Sequence, residues 1–366
     1  MINPHKTLII HIGDHKTGST SIQKAFAQGR VTLKGKSIFY PAKFAHNSLK
    51  QHCKVYAKDK LVPARDKAID KFKRLAARIR KAKTDYCLIS AEAFEVIPPA
   101  VFHDIVTTYF TDSADQIRVV GYVRPHAARL LSSFAERIKI GVPNVLTGSL
   151  ESFHDQMREA RRYYYHDRFS ALRTLFGDQF TLRPMIRNQL YGNSVVDDFV
   201  HHGFGETQFS IEEMGAVNES LSLEDLMRLK VLQSHLLVNQ PPKLRHNLGW
   251  EFLRLVTDMP PLKNQTKLRL HKTIAQTIHD TYLEDARDLD ATFFDQQPLM
   301  ENELNRALED AIETPHSIEP SEYLSDSDIR SLTVLSKIIT EMFEHRTGEW
   351  PAFLRKIYID AIQNER

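Results

Sequence analysis

The 366-residue sequence is poor in the features that mark several classes of protein. It has two cysteines, Cys53 and Cys87, which are too few for a disulfide scaffold and lack the C-x-x-C spacing of zinc ligands. Its 14 glycines and 16 prolines are scattered, which excludes a low-complexity or collagen-like chain. With 42% apolar and 26% charged residues, the composition is that of a globular protein with a large core.

Long apolar runs and a strong net charge are also lacking. No stretch approaches the roughly 20 apolar residues of a membrane helix, so we expect no membrane span. The first apolar run is too short for a signal-peptide core, so we expect a cytoplasmic protein. The net charge of +3 is small for this length. We therefore expect no nucleic-acid partner, although a local anion site is permitted.

Short apolar runs alternate with helical patterns in the first half of the chain. Strands are predicted over Thr7–Ile12, Ser37–Tyr40, Tyr86–Ser90, Ile117–Val123 and Gln179–Pro184. Helices are predicted over Ser19–Gly29, Asp66–Lys83, 126–140, Tyr163–Phe176 and Val195–His202. This alternation predicts an α/β fold with a parallel sheet flanked by helices.

Helical patterns alone follow Ser222, and they predict a helical C-terminal region. Residues 141–149 are predicted to form a loop, and the proline- and acid-rich stretch 297–320 is interpreted as a link. We therefore expect an α/β domain over 1–296 and a helical extension over 297–366. The Lys/Arg-rich stretch 67–83 is interpreted as the solvated face of one helix.

A loop with two glycines, a lysine and several hydroxyls follows the first strand (HIGDHKTGSTS, residues 11–21). Such a turn presents backbone N–H groups at a helix N-terminus, where the helix dipole also favours an anion. The lysine adds a positive charge, and the serines and threonines add donors. The sequence therefore predicts phosphate binding here.

The nearest general pattern is the nucleotide-binding loop G-x-x-x-x-G-K-[ST]. Gly13 and Gly18 fit it, but Ser19 stands where the lysine belongs, and Lys16 precedes the second glycine. This departure argues against an ATPase or kinase, whose lysine contacts the transferring phosphates. No acidic strand end stands out as a magnesium ligand either. A magnesium-dependent nucleotide kinase or NTPase is still one alternative.

The displaced lysine fits another group. The segment K-T-G-S-T-S resembles the 5′-phosphosulfate loop of P-loop sulfotransferases that use 3′-phosphoadenosine 5′-phosphosulfate (PAPS), in particular carbohydrate and bacterial members. The resemblance implies that Lys16 contacts the sulfate and the bridging oxygen. It also implies that the other loop residues surround the 5′-phosphate, namely Thr17, Gly18, Ser19, Thr20 and Ser21.

A second signature of that family is an arginine that closes a later strand, with a serine eight residues on. Here Arg124 closes the predicted strand, and Ser132 lies in the helix that follows. The resemblance implies that this pair holds the 3′-phosphate, and a guanidinium can bind phosphate with two parallel hydrogen bonds. Weaker similarity lies in residues 178–199 and in Asn218–Ser222, so that the resemblance covers about residues 6 to 296.

Sulfuryl transfer needs a group that takes the proton of the acceptor hydroxyl. Glu92 follows a central strand by two residues, at the edge of the sheet where ligands of open α/β sheets bind. The family commonly has a histidine or glutamate at this place. His15 and His126 are alternatives, because each neighbours a predicted nucleotide-binding residue and histidine titrates near neutrality.

The resemblance implies sulfuryl transfer from PAPS, as co-substrate, to a hydroxyl of a small-molecule or glycan acceptor, here a carbohydrate or glycoconjugate. Lysine supplies the positive charge, so no metal is expected. The lack of a membrane anchor favours a bacterial cytosolic enzyme. A non-catalytic scaffold of the same fold is the other alternative.

Overall fold

The computed structural model of the chain describes residues 5–58, 62–212, 221–236, 242–260, 263–344 and 349–364. The strands, numbered along the chain, are β1 (Thr7–His11), β2 (Val31–Leu33), β3 (Ile38–Phe39), β4 (Tyr86–Ser90), β5 (Gln116–Val123), β6 (Phe180–Pro184) and β7 (Phe209–Ile211). The helices are α1 (Ser19–Ala27), α2 (Leu49–Ala57), α3 (Val62–Lys81), α4 (Pro99–Tyr109), α5 (His126–Lys139), α6 (Pro143–Leu146), α7 (Leu150–Glu159), α8 (His166–Phe176), α9 (Val195–Asp198), α10 (Leu223–Leu236), α11 (Pro242–Thr257), α12 (Lys272–Phe293), α13 (Leu299–Glu309), α14 (Asp326–Glu344) and α15 (Trp350–Asn364).

Five parallel strands form the main sheet, in the order β3-β4-β1-β5-β6. The central strand β1 is buried along its whole length, and its Ile9 lies between Leu88 of β4 and Arg118 of β5. An apolar run without alternation is what a strand covered on both faces requires. The predicted α/β class, with a parallel sheet flanked by helices, is therefore confirmed.

The described residues group into two compact units that alternate along the chain. The first unit comprises Met1–Pro125, Tyr164–Gly215 and Asp285–Met300, and it contains the five-stranded sheet. The second comprises His126–Tyr163, Ala216–Glu284 and Glu301–Arg366. The described part of the second unit is helical, with α10 packed against α5 and α14. The predicted boundary at residue 296 stays a prediction.

One face of the main sheet is covered by aromatic and aliphatic side chains. Ile22 and Phe26 of α1 pack here with Phe199 and Phe204, which follow α9. The rings of Phe26 and Phe204 stack with centroids 5.3 Å apart. These contacts hold α1 against the sheet, and so they fix the helix that follows the glycine-containing loop.

Several local predictions are wrong. The stretch 297–320, interpreted as a link, contains α13, whose Met300 and Leu304 are buried. The predicted loop 141–149 contains the short helix α6, and the helix predicted from Tyr163 begins at His166. The segment Asn218–Ser220 lies outside the described residues. None of the helices in the described ranges has the length and apolarity needed to cross a bilayer.

Candidate functional site

The loop predicted to bind phosphate joins β1 to α1 in the first unit, as expected. β1 ends at His11 and α1 begins at Ser19. Ile12 N donates to Val120 O (2.9 Å), and Ala91 N donates to His11 O (3.0 Å). The start of the loop is thereby tied to both neighbouring strands.

The backbone of this loop is left-handed at two places. Lys16 has a φ of 67° and Gly18 a φ of 77°. A Cβ on Gly18 would lie 2.9 Å from Cγ1 of Val195, so glycine is needed there for both conformation and space. A lysine at positive φ is uncommon, and residues held in this way concentrate at functional sites.

The hydroxyl groups of Thr17 and Ser19 make their contacts within the loop. Thr17 is fully buried, and its Oγ1 donates to Asp14 O at 2.6 Å. Ser19 is buried beside it, with the two hydroxyl oxygens 3.4 Å apart. Lys16, Gly18, Thr20 and Ser21 are only partly buried. The candidate ligands that reach the surface are therefore these four residues.

Asp14 of the loop forms a buried ion pair with Arg168, which no local sequence pattern predicts. The carboxylate of Asp14 is 1% exposed, and Nη2 of Arg168 lies 2.7 Å from each of its oxygens. The guanidinium also lies over the ring of Phe169. The two residues are 154 positions apart, so no local pattern joins them. The Asp14 side chain is thus fixed by Arg168, while its own backbone carbonyl accepts from Thr17.

The structure brings two of the predicted nucleotide-binding residues together. Arg124 follows the end of β5, and its Nη1 donates to Lys16 O at 2.9 Å. The predicted phosphate loop and the predicted arginine therefore share one place at the carboxyl edge of the sheet. Both side chains are partly buried, which leaves each accessible.

Ser132 and His126 belong to the second unit, on α5. Ser132 is partly buried. His126 is fully buried, and its ring stacks on that of Tyr282 with centroids 5.1 Å apart. A base must reach the proton that it removes. The burial of His126 therefore makes it the weakest of the three predicted bases, while the proximity of Ser132 to the loop stays a prediction.

Glu92 and His15 lie side by side. Nδ1 of His15 is 3.4 Å from Oε1 of Glu92, and Asn47 Nδ2 donates to the same oxygen at 3.4 Å. The His15 side chain is 40% exposed, whereas that of Glu92 is 15% exposed. The structure therefore joins the first-ranked base and its alternative into one accessible pair.

Asn47 and Glu95 complete this cluster, and both were missed by sequence reasoning. Oδ1 of Asn47 accepts from Ala93 N at 3.3 Å, which fixes the amide that contacts Glu92. The buried carboxylate of Glu95 accepts from His15 N at 3.1 Å. These contacts orient the pair, because each partner is anchored to backbone or to a buried group.

Behind this cluster, two buried histidines converge on Ser90 at the end of β4. Nδ1 of His11 lies 2.8 Å from Ser90 Oγ, and Ser90 N donates to Nδ1 of His46 at 3.2 Å. Burial lowers the pKa of His11 to about 3, although the charge of Glu92 raises it. Burial likewise lowers the pKa of His46 to about 4. Both rings are therefore neutral at physiological pH.

The carboxyl edge of the sheet thus combines an anion-binding type of loop, two cations, and an accessible carboxylate–imidazole pair. Within the described residues, no cluster of three or more His, Cys, Asp or Glu side chains could hold a metal ion. No protein-family model matches the chain, and a search of the curated proteins finds no match either.

Proposed function

We propose that the chain is a sulfotransferase of P-loop fold that uses PAPS as co-substrate. The observation that carries the proposal is the hydrogen bond from Arg124 to Lys16 O, because the two residues belong to separate signatures 108 positions apart. Nothing in the spacing of either signature requires that contact. Their meeting supports a single nucleotide site.

The strand order supports the same fold. The chain leaves β1 towards β3 and β4 on one side of the sheet, and later crosses to β5 and β6 on the other. Ligands of open α/β sheets bind where the connections diverge in this way, beyond the carboxyl ends of the strands. The Lys16 loop follows β1 at this position, which suits the phosphosulfate end of the nucleotide.

The reaction is an in-line displacement at sulfur. The acceptor oxygen forms the new S–O bond, the bond between sulfur and the bridging phosphate oxygen breaks, and adenosine 3′,5′-bisphosphate leaves. Lys16 supplies positive charge to the sulfuryl oxygens and the leaving group. The hydroxyl proton passes to the His15–Glu92 pair. By resemblance, the acceptor is a carbohydrate or glycoconjugate, and the enzyme is bacterial and cytoplasmic.

Glu92 is the first candidate for the base, and His15 is the second. Glu92→Gln keeps the hydrogen-bonding shape but cannot take a proton, so we expect the transfer rate to fall by about 10² to 10⁴. His15→Gln should lower it less if the imidazole only orients Glu92. Nucleotide affinity should stay unchanged in both variants. A larger loss in His15→Gln than in Glu92→Gln would make the imidazole the base.

Calorimetric titration of adenosine 3′,5′-bisphosphate in the presence of EDTA tests the proposal. ATP with magnesium is the matched comparison for the kinase alternative. We expect micromolar binding of the bisphosphate, tighter than that of ATP. Absence of bisphosphate binding by the folded wild type would overturn the proposal. ATP binding in that case would favour a kinase, and silence from both nucleotides a scaffold.

A further inference from the structure

The charged residues are distributed unevenly along the chain, although the net charge is small. Residues 43–83 contain 14 Lys and Arg against three Asp and no Glu, which is a net charge of +11. Because the whole chain carries +3, the remaining residues are net negative by 8. A segment with such a concentration of one sign attracts a ligand of the other.

Five of these cations form a line along α3, and we name this line the basic track. Its members lie four and three residues apart in alternation, which keeps them on one side of a helix: Lys67, Lys71, Arg74, Arg78 and Lys81. All five are exposed. At 1.5 Å per residue the line is about 21 Å long.

The internal contacts of the basic track use little of its charge. Arg74 pairs with the exposed Asp70 at 3.6 Å, a contact that water screens strongly. Arg78 Nη1 donates to Pro41 O at 3.3 Å, and its guanidinium lies over the ring of Phe39. An arginine that is held by a carbonyl keeps its full positive charge. The track therefore remains a line of cations.

A short segment, residues 41–47, connects the basic track with the candidate base. Arg78 Nη1 donates to Pro41 O, five residues before His46, and α2, which begins at Leu49, packs against α3. In agreement with this contact, the charges of Arg78 and Lys71 add to burial in lowering the pKa of His46. His46 N donates to Ser90 O at 2.9 Å, and the next residue, Asn47, donates to Glu92. The track therefore passes close to the segment that positions Glu92.

We propose that the basic track binds a linear acidic glycan, a chain of sugars with carboxylate or sulfate groups along its length, and delivers one of its hydroxyls to the His15–Glu92 pair. This inference rests on the proposed function, since it names the acceptor of that site. An acidic glycan offers both requirements at once: repeated anionic groups for the track and free hydroxyls for sulfuryl transfer.

Other polyanionic partners fit the basic track less well than an acidic glycan does. No large apolar side chain among the described residues of 43–83 is exposed, so these residues offer none of the apolar anchors with which amphipathic helices enter membranes. The same described residues include no exposed aromatic ring on which single-stranded bases could stack. Duplex DNA carries the charge but has no hydroxyl along its backbone to accept a sulfuryl group.

The test measures binding of an oligogalacturonate long enough to span the track, at physiological ionic strength. The variant is Lys67→Gln/Lys71→Gln/Lys81→Gln, which spares the two arginines with contacts of their own. The matched control is Lys34→Gln/Lys337→Gln/Lys356→Gln, which removes three exposed lysines elsewhere. Glutamine has nearly the helix propensity of lysine, so both variants should fold.

We expect the track variant to bind the oligogalacturonate about tenfold more weakly or worse than wild type, and the control variant to match wild type. A neutral maltooligosaccharide of equal length should not bind. Equal losses in both variants, or no binding by wild type, would overturn the proposal. Equal or tighter binding of polyglutamate, RNA, duplex DNA or phosphatidylserine vesicles would also overturn it, by assigning the track to another partner.

A parallel titration with adenosine 3′,5′-bisphosphate separates this inference from the function on which it rests. Both lysine variants should bind the nucleotide as wild type does. If the oligogalacturonate binds through the track but the nucleotide does not bind at all, the proposed function fails while the glycan site stands. If the nucleotide binds and the oligogalacturonate does not, only the glycan inference fails.

Discussion

Two buried aspartates of the first unit, Asp14 and Asp198, are held by arginines in similar ways but serve different surroundings. Nη2 of Arg168 donates to both oxygens of Asp14 at 2.7 Å. Asp198 is fully buried and accepts from Nη2 and Nε of Arg183 at 2.7 and 3.1 Å. Both contacts are charge-assisted and at short range, so geometry alone does not tell them apart.

The neighbours of each pair make the difference. Asp198 also accepts from the hydroxyl of Tyr122 (2.7 Å) and from Tyr191 N (2.9 Å), so its partners join β5, β6 and the segment before α9. Beside Asp14 stand the 40% exposed His15 and the partly buried Lys16. The Asp198 network joins elements of the fold, whereas the Asp14 pair supports a loop whose Lys16 is partly exposed.

The largest effect on stability should come from Asp198→Ala. Removal of one partner from a buried ion pair leaves the other charge uncompensated, and we expect the free energy of unfolding to fall by about 3 to 5 kcal/mol. Urea unfolding measures this loss. Asp197→Ala, one residue away and only partly buried, is the control and should change stability little. Bisphosphate affinity of folded Asp198→Ala should equal that of wild type.

The buried histidines His11 and His46 should lower the stability of the fold in weaker acid than is needed to affect Asp198. The pKa values of His11 and His46, about 3 and about 4, lie below the roughly 6.5 of an unfolded histidine. The unfolded chain then binds more protons below pH 6.5. Stability is therefore complete above that pH and falls as the pH drops, by at most about 1.4 kcal/mol per pH unit for each ring.

The Asp198 carboxylate should lose its contribution only in stronger acid. Burial would raise its pKa, but hydrogen bonds from Arg183 and Tyr191 N hold that pKa below the usual range. Its contribution is present above pH about 4 and disappears as the pH falls through the lowered pKa. Urea unfolding between pH 8 and 3 should show a smaller slope between pH 6.5 and 4.5 in His11→Gln. An unchanged slope would contradict the buried neutral ring.

Asp14→Asn should lower both the stability of the fold and the affinity for the bisphosphate, whereas Asp198→Ala should lower stability alone. The amide cannot accept two charge-assisted bonds, so we expect a loss of about 2 kcal/mol in unfolding free energy. Because the same pair supports the loop, bisphosphate affinity should fall as well. A stable folded variant with wild-type affinity would show that the Asp14–Arg168 pair is only structural, like that of Asp198.

The smallest expected effect is the difference in stability between alanine variants of two left-handed glycines, Gly18 in the loop and Gly29 after α1. Gly18→Ala should cost more than Gly29→Ala, although both glycines have similar positive φ values of 77° and 69°. A Cβ on Gly29 meets nothing within 4 Å, whereas one on Gly18 meets Val195. The conformational cost of about 1 to 2 kcal/mol is common to both. Thermal unfolding of the two variants isolates the crowding, and equal melting temperatures would exclude it.

The strands of the main sheet could be predicted, because short buried runs such as Tyr86–Ser90 alternate with helical patterns, as in a parallel sheet. The small sheet of β2 and β7 could not, since Val31–Leu33 pairs with Phe209–Ile211 far along the chain and each strand has three residues. Helix α2 was missed because it has few periodic apolar residues, whereas α4 was missed although Phe102, Ile105 and Val106 stand at helical spacing.

The residues of the candidate site also fall into those that the sequence predicts and those that only the structure reveals. Lys16, Gly18 and Arg124 stand in local patterns, and these could be found by reading along the chain. Asn47 and Arg168 act through partners 45 and 154 positions away, which only the folded chain brings near. The candidate ligand-binding residues of this chain could be predicted from the sequence, while the residues that position them depend on tertiary packing.

We propose that Lys16 serves ligand binding and contributes little to the stability of the fold. The most direct test is calorimetric titration of adenosine 3′,5′-bisphosphate into wild type and Lys16→Ala, beside urea unfolding of both. We expect an affinity at least about tenfold lower in Lys16→Ala, since a charged hydrogen bond is lost, with the unfolding free energy essentially unchanged. Equal affinity in the two proteins, or a loss of stability without loss of binding, would contradict it.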